Sequence, residues 1–496
     1  MSLIQQLPAL QIAVPLMTAP LVVLLRGPGL AWAAASAASL MAFAIAIAIT
    51  SMVLSGGALS YEMGGWPAPY GITLEIDALS ALVLLLVTGA SAITLLCGRA
   101  SLAQNMDAGR QHLFFAAWLI VLAGLSGIAV TGDAFNVFVF MEISSLASYV
   151  LIAAGSDRRA LTATFKYLIM GTIGATFYLI GVGLVYMMTG TLNFADMEVR
   201  IVDVADQRPI LVAAGFITVG LALKAAVFPL HIWLPSAYTY APHMVTAFLA
   251  ACSTKVALYV LLRFDFLVFQ GNLEAHAVQT AIFLAPLALL GILVGSAVAM
   301  VEGNIKRLLA FSSVAQVGYI LLGASFASIA GLTASVALMF NHALAKGALF
   351  LAVAAIATRV ARLRLDDIAG IGRRMPWTCA ALALAGASLV GIPGTAGFVS
   401  KWLLLQAAFA QGAFGMVAAV VVIVSSLAAV FYVWRIVECV YFGTPKSDET
   451  TIAEAPLPLL GGLWLVALAN VYFGLVPALP VTLAETAAAD LLRHLQ

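Results

Sequence analysis

The run GLALKAAVFPLHIWLPSAYTYAPHMVTAFLAACSTK, residues 220–255, is apolar enough to lie in a bilayer, yet it holds one lysine near its start and another at its end. Lys224 stands just ahead of Pro229, His231 follows, and Lys255 closes the run. A lysine at the centre of a membrane helix costs roughly 2.5–3.5 kcal/mol even on a lenient insertion scale. Spanning alone does not require that cost. A desolvated lysine can lose its proton, whereas an arginine effectively cannot. Proline removes an intrahelical hydrogen bond and clashes with the preceding turn, so a span over 209–238 is expected to break at Pro229. Backbone freed at that depth is tolerated where it faces protein or water. A titratable amine beside a broken helix reads as part of a proton path, and the chain around it as an all-α polytopic membrane protein.

Composition agrees. Hydrophobic residues make up 63% of the 496 and charged residues 9%, against roughly 25% charged in a soluble domain. A net charge of +1 gives no bulk field for nucleic acid, which is not expected as a partner. The four cysteines form no CxxC pair and read as small apolar residues, so no metal site is expected. With about 20 apolar residues per crossing, the expected spans are 7–26, 29–54, 77–98, 111–131, 133–155, 161–189, 209–238, 242–263, 276–300, 305–327, 330–358, 376–411, 412–441 and 456–476, about fourteen in all. Residues 1–110 then hold helices one to three, 111–263 and 276–441 five each, and 442–496 the fourteenth helix and a tail. The longest polar connections are 55–76, 190–208, 359–375 and 442–455. They are too short for a nucleotide or haem domain, essentially no strands are expected, and no cofactor is implied.

Span 376–411 is the second that is too long for one straight crossing, with Gly391, Pro393, Gly394 and Gly397 ahead of Lys401. The two breaks, at Pro229 and Pro393, fall in the seventh and twelfth spans. Matching breaks in a transporter point to internal repeats and to the site itself, so two five-helix repeats of opposite topology are expected. Lysines and arginines fall on alternate connections. One side takes Arg26, Arg99, Arg110, Arg158, Arg159, Lys306, Arg307, Arg359, Arg362, Arg364, Arg373, Arg374 and Lys446; the other takes Arg200, Arg208, Arg263 and Arg493. The positive-inside bias places both termini on the outer face of a bacterial inner membrane.

Four of the seven lysines, Lys224, Lys255, Lys346 and Lys401, fall well inside the apolar spans, away from their starts. At 1.5 Å per residue, Lys255 lies about 20 Å beyond Pro242, Glu142 about 14 Å beyond Asp133, and Lys346 about 24 Å into its span. These depths are too great for easy snorkelling. A static Lys224–Glu142 ion pair is the plain alternative, but one pair does not account for the other lysines. His342 and Lys346, four residues apart, share a helix face, and imidazole suits a proton relay near neutral pH. His231 and His243 are candidate supports, with capping an equal alternative for His243. Serines and threonines near the charges fit either bound water or interhelical contacts.

The stretches GDAFNVFVFMEISSLASYVL, LKAAVFPLHIWLPSAY, IKRLLAFSSVAQVGYI, FNHALAKGALF and LVGIPGTAGFVSKW together resemble the antiporter-like subunits shared by Mrp-type sodium/proton antiporters, respiratory complex I and membrane-bound hydrogenases. YEMGGWPAPYGITLEIDALSAL most resembles the D-type Mrp protein. The resemblance implies fourteen helices, inverted repeats and a charged axis of Glu142, Lys224, Lys255, His342 with Lys346, and Lys401. Gln316 departs from relatives that place a histidine there, which puts a relay role for the tenth helix in doubt. The implied function is proton translocation within a multisubunit monovalent cation (Na+)/H+ antiporter, not an enzyme. The alternatives are a proton-pumping subunit of an NADH-quinone oxidoreductase or membrane-bound hydrogenase, and a structural membrane scaffold. Implied partners are other membrane subunits, the lipid bilayer and protons, with sodium as a second candidate ion.

Overall fold

The computed structural model describes residues 3–269, 274–444 and 453–493. In chain order the helices are α1 (Leu7–Leu24), α2 (Pro28–Gly56), α3 (Ala78–Asn105), α4 (Gln111–Val130), α5 (Ala134–Ala153), α6 (Arg159–Thr189), α7 (Phe194–Arg200), α8 (Arg208–Lys224), α9 (Trp233–Tyr240), α10 (His243–Leu262), α11 (Glu274–Val301), α12 (Ile305–Ser325), α13 (Ile329–Ala357), α14 (Pro376–Val390), α15 (Ala396–Phe409), α16 (Gly412–Phe442), α17 (Leu457–Leu475) and α18 (Ala478–Leu491). Twelve helices among the described residues are long and apolar enough to cross a membrane. The other two expected spans are divided. α8 stops at Lys224 and α9 begins at Trp233; α14 stops at Val390 and α15 begins at Ala396. Pro229 and Pro393 lie in the two gaps, as expected.

Several local signals explain the helix ends. Asp77, Asp133, Asn304 and Ser328 each cap a helix by accepting a backbone N–H from the first turn. Gly190 closes α6 in the left-handed region, as only glycine does readily. α10, α12 and α13 are buried on nearly every side and form the centre of the molecule. That all-round burial explains their continuous apolar sequence. Large apolar side chains of α1, α2, α6 and α16 are exposed, as a hydrocarbon surrounding requires.

One face carries a β-hairpin, β1 (Leu59–Glu62) paired antiparallel with β2 (Thr73–Ile76). The expectation of essentially no strands is corrected here: alternation in TLEI turns Leu74 and Ile76 inward, and Leu74 bridges to Thr131 between α4 and α5. Asn193 donates to Thr73 at 2.9 Å, so the 190–208 connection lies on this hairpin face, and it is itself partly helical through α7. Gln6 accepts from Tyr61 at 2.8 Å and Arg493 pairs with Glu198, which brings both described ends to the hairpin face. The opposite face joins Glu454 to Arg359, Trp377 and Thr378. α8 thus starts at the hairpin face and α14 at the opposite one, so the divided helices run in opposite directions.

Three other expectations change. Residues 478–491 form α18 rather than a tail, because Leu483, Ala484, Ala487, Ala488 and Leu491 recur on one face and bury despite Glu485 and Asp490. Lys306 and Arg263, counted above with the loop charges, are both buried. Lys446 lies outside the described residues.

Candidate functional site

α8 ends at Lys224 because the next residues leave helical geometry: Ala226 takes φ 58° in the left-handed region. Across the gap the Trp233 indole donates to the Leu223 carbonyl at 2.9 Å, which satisfies backbone that the break frees. The amine of Lys224 faces α5, donating to Ser145 Oγ at 2.8 Å and lying 3.4 Å from Glu142 Oε1. The partners differ in burial. The Lys224 side chain is 6% exposed and that of Glu142 is 24% exposed, so the carboxylate reaches the surface of the chain. A Cβ at Gly171 would collide with Tyr149 Oη and lie 3.7 Å from Lys224 Nζ, so α6 can approach only as glycine. A cavity of about 30 Å³ lies here, lined by Lys224, Ser144, Ser145, Ser148, Tyr167 and Ser253 among others. That is room for about one water, with polar groups to hold it.

The centre of the molecule holds Lys255 on α10 and His342 with Lys346 on α13, all buried. Lys255 lies within electrostatic range of both α13 residues. Lys255 donates to the Ala250 carbonyl at 2.5 Å. Lys346 donates to the Leu309 carbonyl at 2.6 Å and to Ser312 Oγ at 2.5 Å, both on α12. Neither ring nitrogen of His342 has a hydrogen-bond partner among the described residues.

At the second break Lys401 reaches back from α15 to the end of α14. It donates to the carbonyls of Leu389 at 3.1 Å and Val390 at 2.7 Å, and to Ser426 Oγ at 3.2 Å. A cation at a helix C-terminus meets the negative end of its dipole. The amine also lies 5.2 Å from the centre of the Tyr319 ring. Gly391 turns the chain at φ 92°, and Ser388 donates to Asn470 at 2.8 Å. Asn341 donates to the Ala396 carbonyl at 2.7 Å, tying α13 to the break. A cavity of about 10 Å³ touches His342, Gln316, Asn341 and Lys401, so the central group and the second break share a boundary.

The structure therefore gathers Glu142 with Lys224, gathers Lys255 with His342 and Lys346, and sets Lys401 next to His342. The two supporting histidines lie elsewhere. His231 packs between Phe228 and Phe311, with ring centres 5.4 and 6.1 Å away. His243 opens α10 at the opposite face, in electrostatic range of Lys306. Lys306 itself donates to the Ala241 carbonyl at 2.7 Å; in sequence it reads as a loop charge because its neighbour Arg307 is one. Asn341, Tyr319 and Ser426 carry no sequence signal for the site; their part is visible only once the helices pack. Outside the spans, burial raises the Glu75 carboxyl above its ordinary value, with Arg263 pulling it down.

The sequence matches the family described as NADH:quinone oxidoreductase/Mrp antiporter, TM, over residues 131–427. It is 40% identical over 456 residues to subunit N of the NADH-quinone oxidoreductase of Desulforudis audaxviator, covering 91% of this chain and 89% of that protein. It is 31% identical to the D-type protein of the Na(+)/H(+) antiporter of Bacillus subtilis, covering 89% of each. Among solved structures, a chain of the Mrp complex from Dietzia sp. superposes with a TM-score of 0.90 at 29% identity, covering 99% of this chain and 98% of that one.

Proposed function

The chain belongs to the NADH:quinone oxidoreductase/Mrp antiporter transmembrane family, and from that premise we propose that it carries protons within a multisubunit monovalent cation/proton antiporter. It is a multi-pass, antiporter-like membrane subunit. The observation that carries the finer reading is that Lys224, Lys255, Lys346 and Lys401 each meet a different set of acceptors: a carboxylate with a serine, a helix carbonyl, a serine with a carbonyl, and the carbonyls of a broken helix end. Such amines differ in how tightly they hold a proton. Glu142 supplies the negative charge opposite the Lys224 amine. Withdrawing that charge drives the proton toward the central group, where Lys255, His342 and Lys346 relay it. Lys401 then exchanges it with one side of the membrane.

The partial exposure of Glu142 supports a neighbouring membrane subunit as the source of that change. The buried groups of the centre are the amines of Lys255 and Lys346 and the imidazole of His342, which bind protons rather than alkali cations, and this supports protons as the ion of this chain. The arginine-rich opposite face fits the cytoplasmic side of a bacterial inner membrane, with the hairpin face and both termini outside. A redox-linked role is the second reading, favoured by the 40% identity to a membrane protein of an NADH-quinone oxidoreductase.

The test is cation-induced collapse of a pH gradient in everted vesicles, with the full complex and with the complex lacking this chain. Exchange is expected only with the chain, and to vanish in an assembled Lys224→Ala complex. Undiminished exchange there would leave a scaffold. Copurification with quinone-reducing subunits, without cation exchange, would select the redox reading.

A further inference from the structure

The hairpin-face end of α10 carries a second charged cluster that the relay does not use. Lys255, Tyr259 and Arg263 recur every four residues, so Tyr259 lies about 6 Å and Arg263 about 12 Å beyond Lys255 along the helix. Arg263 is buried and its donors are directed inward. Nε donates to Tyr259 Oη at 2.6 Å, and Nη2 donates to Asp77 Oδ2 at 2.7 Å and to Ser80 Oγ at 2.9 Å. Tyr259 Oη donates to the Ala129 carbonyl at 2.9 Å and lies 3.0 Å from Ser80 Oγ. All seven residues from Arg263 to Phe269 are buried, with Phe264 edge-on to Tyr178 and Phe194. The cavity beside Lys224 runs as far as Ile128 and Val260, the sequence neighbours of the bonded pair Ala129 and Tyr259. The cluster stands between the relay and the hairpin face.

We propose that Arg263, held by Asp77, Ser80 and Tyr259, is a proton seal that closes the hairpin-face end of α10 above Lys255. The inference rests on the relay reading and adds where the path is shut. The hydrogen bonds have the wrong form for a wire. A relay group must accept one proton and release another, yet Arg263 does not release its own. Tyr259 has one hydrogen, directed at a backbone carbonyl that passes nothing on. A buried guanidinium also opposes the passage of a hydrated proton, as fixed arginines do in other selective pores. Asp77 anchors that charge rather than carrying the proton.

The two halves of the pair therefore differ in consequence, which a structural ion pair does not require. The experiment uses the full complex in proteoliposomes, with a pH step, no cation gradient and a trapped pH dye. Arg263→Gln removes the fixed charge and leaves Asp77, Ser80 and Tyr259 free to exchange protons; passive leak is expected to rise several-fold. Arg263→Lys keeps a cation for Asp77 but makes it titratable, and is expected to leak as well. Asp77→Asn keeps the guanidinium and is expected to leak like wild type. Wild-type leak in both Arg263 variants, or equal leak in Asp77→Asn, would overturn the seal. Arg263→Lys retains the ion pair and carries the test if loss of either charge prevents assembly. Cation-driven exchange is read on the same wild-type vesicles: its absence defeats the relay reading, whereas normal exchange with unaltered leak in the Arg263 variants defeats the seal alone.

Discussion

Lys224 and Lys401 stand beside the two helix breaks, but what meets each amine differs. Lys224 ends its half-helix and faces a carboxylate and a hydroxyl from α5. Lys401 lies in the second half of its helix and reaches back to the carbonyls that end the first half. A carboxylate can change charge; a helix end supplies a fixed partial charge. The first break can therefore alter its hold on a proton through Glu142, which touches the surface of the chain. The second changes its hold only if its geometry moves. Under the proposed relay this makes the first break the place for coupling to a neighbour, and the second a terminus of steady affinity.

The comparison breaks most visibly at the amines. Lys224→Ala and Lys401→Ala are each expected to abolish cation-driven exchange in assembled complexes. Arginine tests titration against charge, since it supplies a cation that stays protonated. Lys401→Arg still meets the α14 carbonyls, so it is expected to retain thermal stability while losing exchange nearly as fully as Lys401→Ala. Lys224→Arg is expected to behave alike. Near-normal exchange in both arginine variants, measured beside recovery of the intact complex, would favour fixed electrostatics at both breaks.

Glu142→Gln sharpens the asymmetry. It keeps the shape of the side chain and removes the charge on which only the first break depends. Loss of one charge-assisted hydrogen bond, about 1.5–3 kcal/mol, corresponds to roughly a tenfold or larger change in equilibrium. Exchange is expected to fall by that order, less than for either lysine-to-alanine change. At the second break, Ser426→Ala removes one of three hydrogen bonds and leaves both carbonyls, so a smaller loss is expected. Equal initial rates in the two variants would remove the distinction between a variable and a fixed partner.

The buried lysines and the breaks are legible in the sequence because each is a local violation: a charge or a proline within an apolar run needs no tertiary knowledge to be noticed. His342 with Lys346 is legible from helical spacing alone. What pairs with what is not. Leu309 and Ser426 are ordinary residues until α12 and α16 pack against the amines, and Ser312, one of the serines noted near the charges, gains its partner only then. Lys306 and Arg263 read as loop charges because both sit at span ends, where hydropathy alone cannot tell inward from outward. α18 escapes because it is short and carries two acids, and a hairpin of four-residue strands lies below any periodicity signal.

The smallest expected effects concern the backbone. Ala226 and Gly391 both take positive φ, at 58° and 92°, but only one is glycine. A residue with a Cβ in the left-handed region costs about 1–2 kcal/mol. Gly391→Ala adds that strain and places a Cβ 3.0 Å from Lys401 Cδ. It is expected to lower the melting temperature of the complex by a few degrees and to reduce exchange, because the amine is pushed from its carbonyls. Ala226→Gly relieves strain in the folded chain but adds freedom to the unfolded one, about 0.4–1 kcal/mol in the other direction. The second offsets much of the first, so stability is expected at or slightly above wild type and exchange near wild type. Thermal unfolding of both complexes in one detergent, followed by tryptophan fluorescence, makes the comparison. A melting loss in Ala226→Gly as large as in Gly391→Ala would mean that the methyl group of Ala226 is itself needed to hold the first break, and that the two breaks differ less in backbone than in their charged partners.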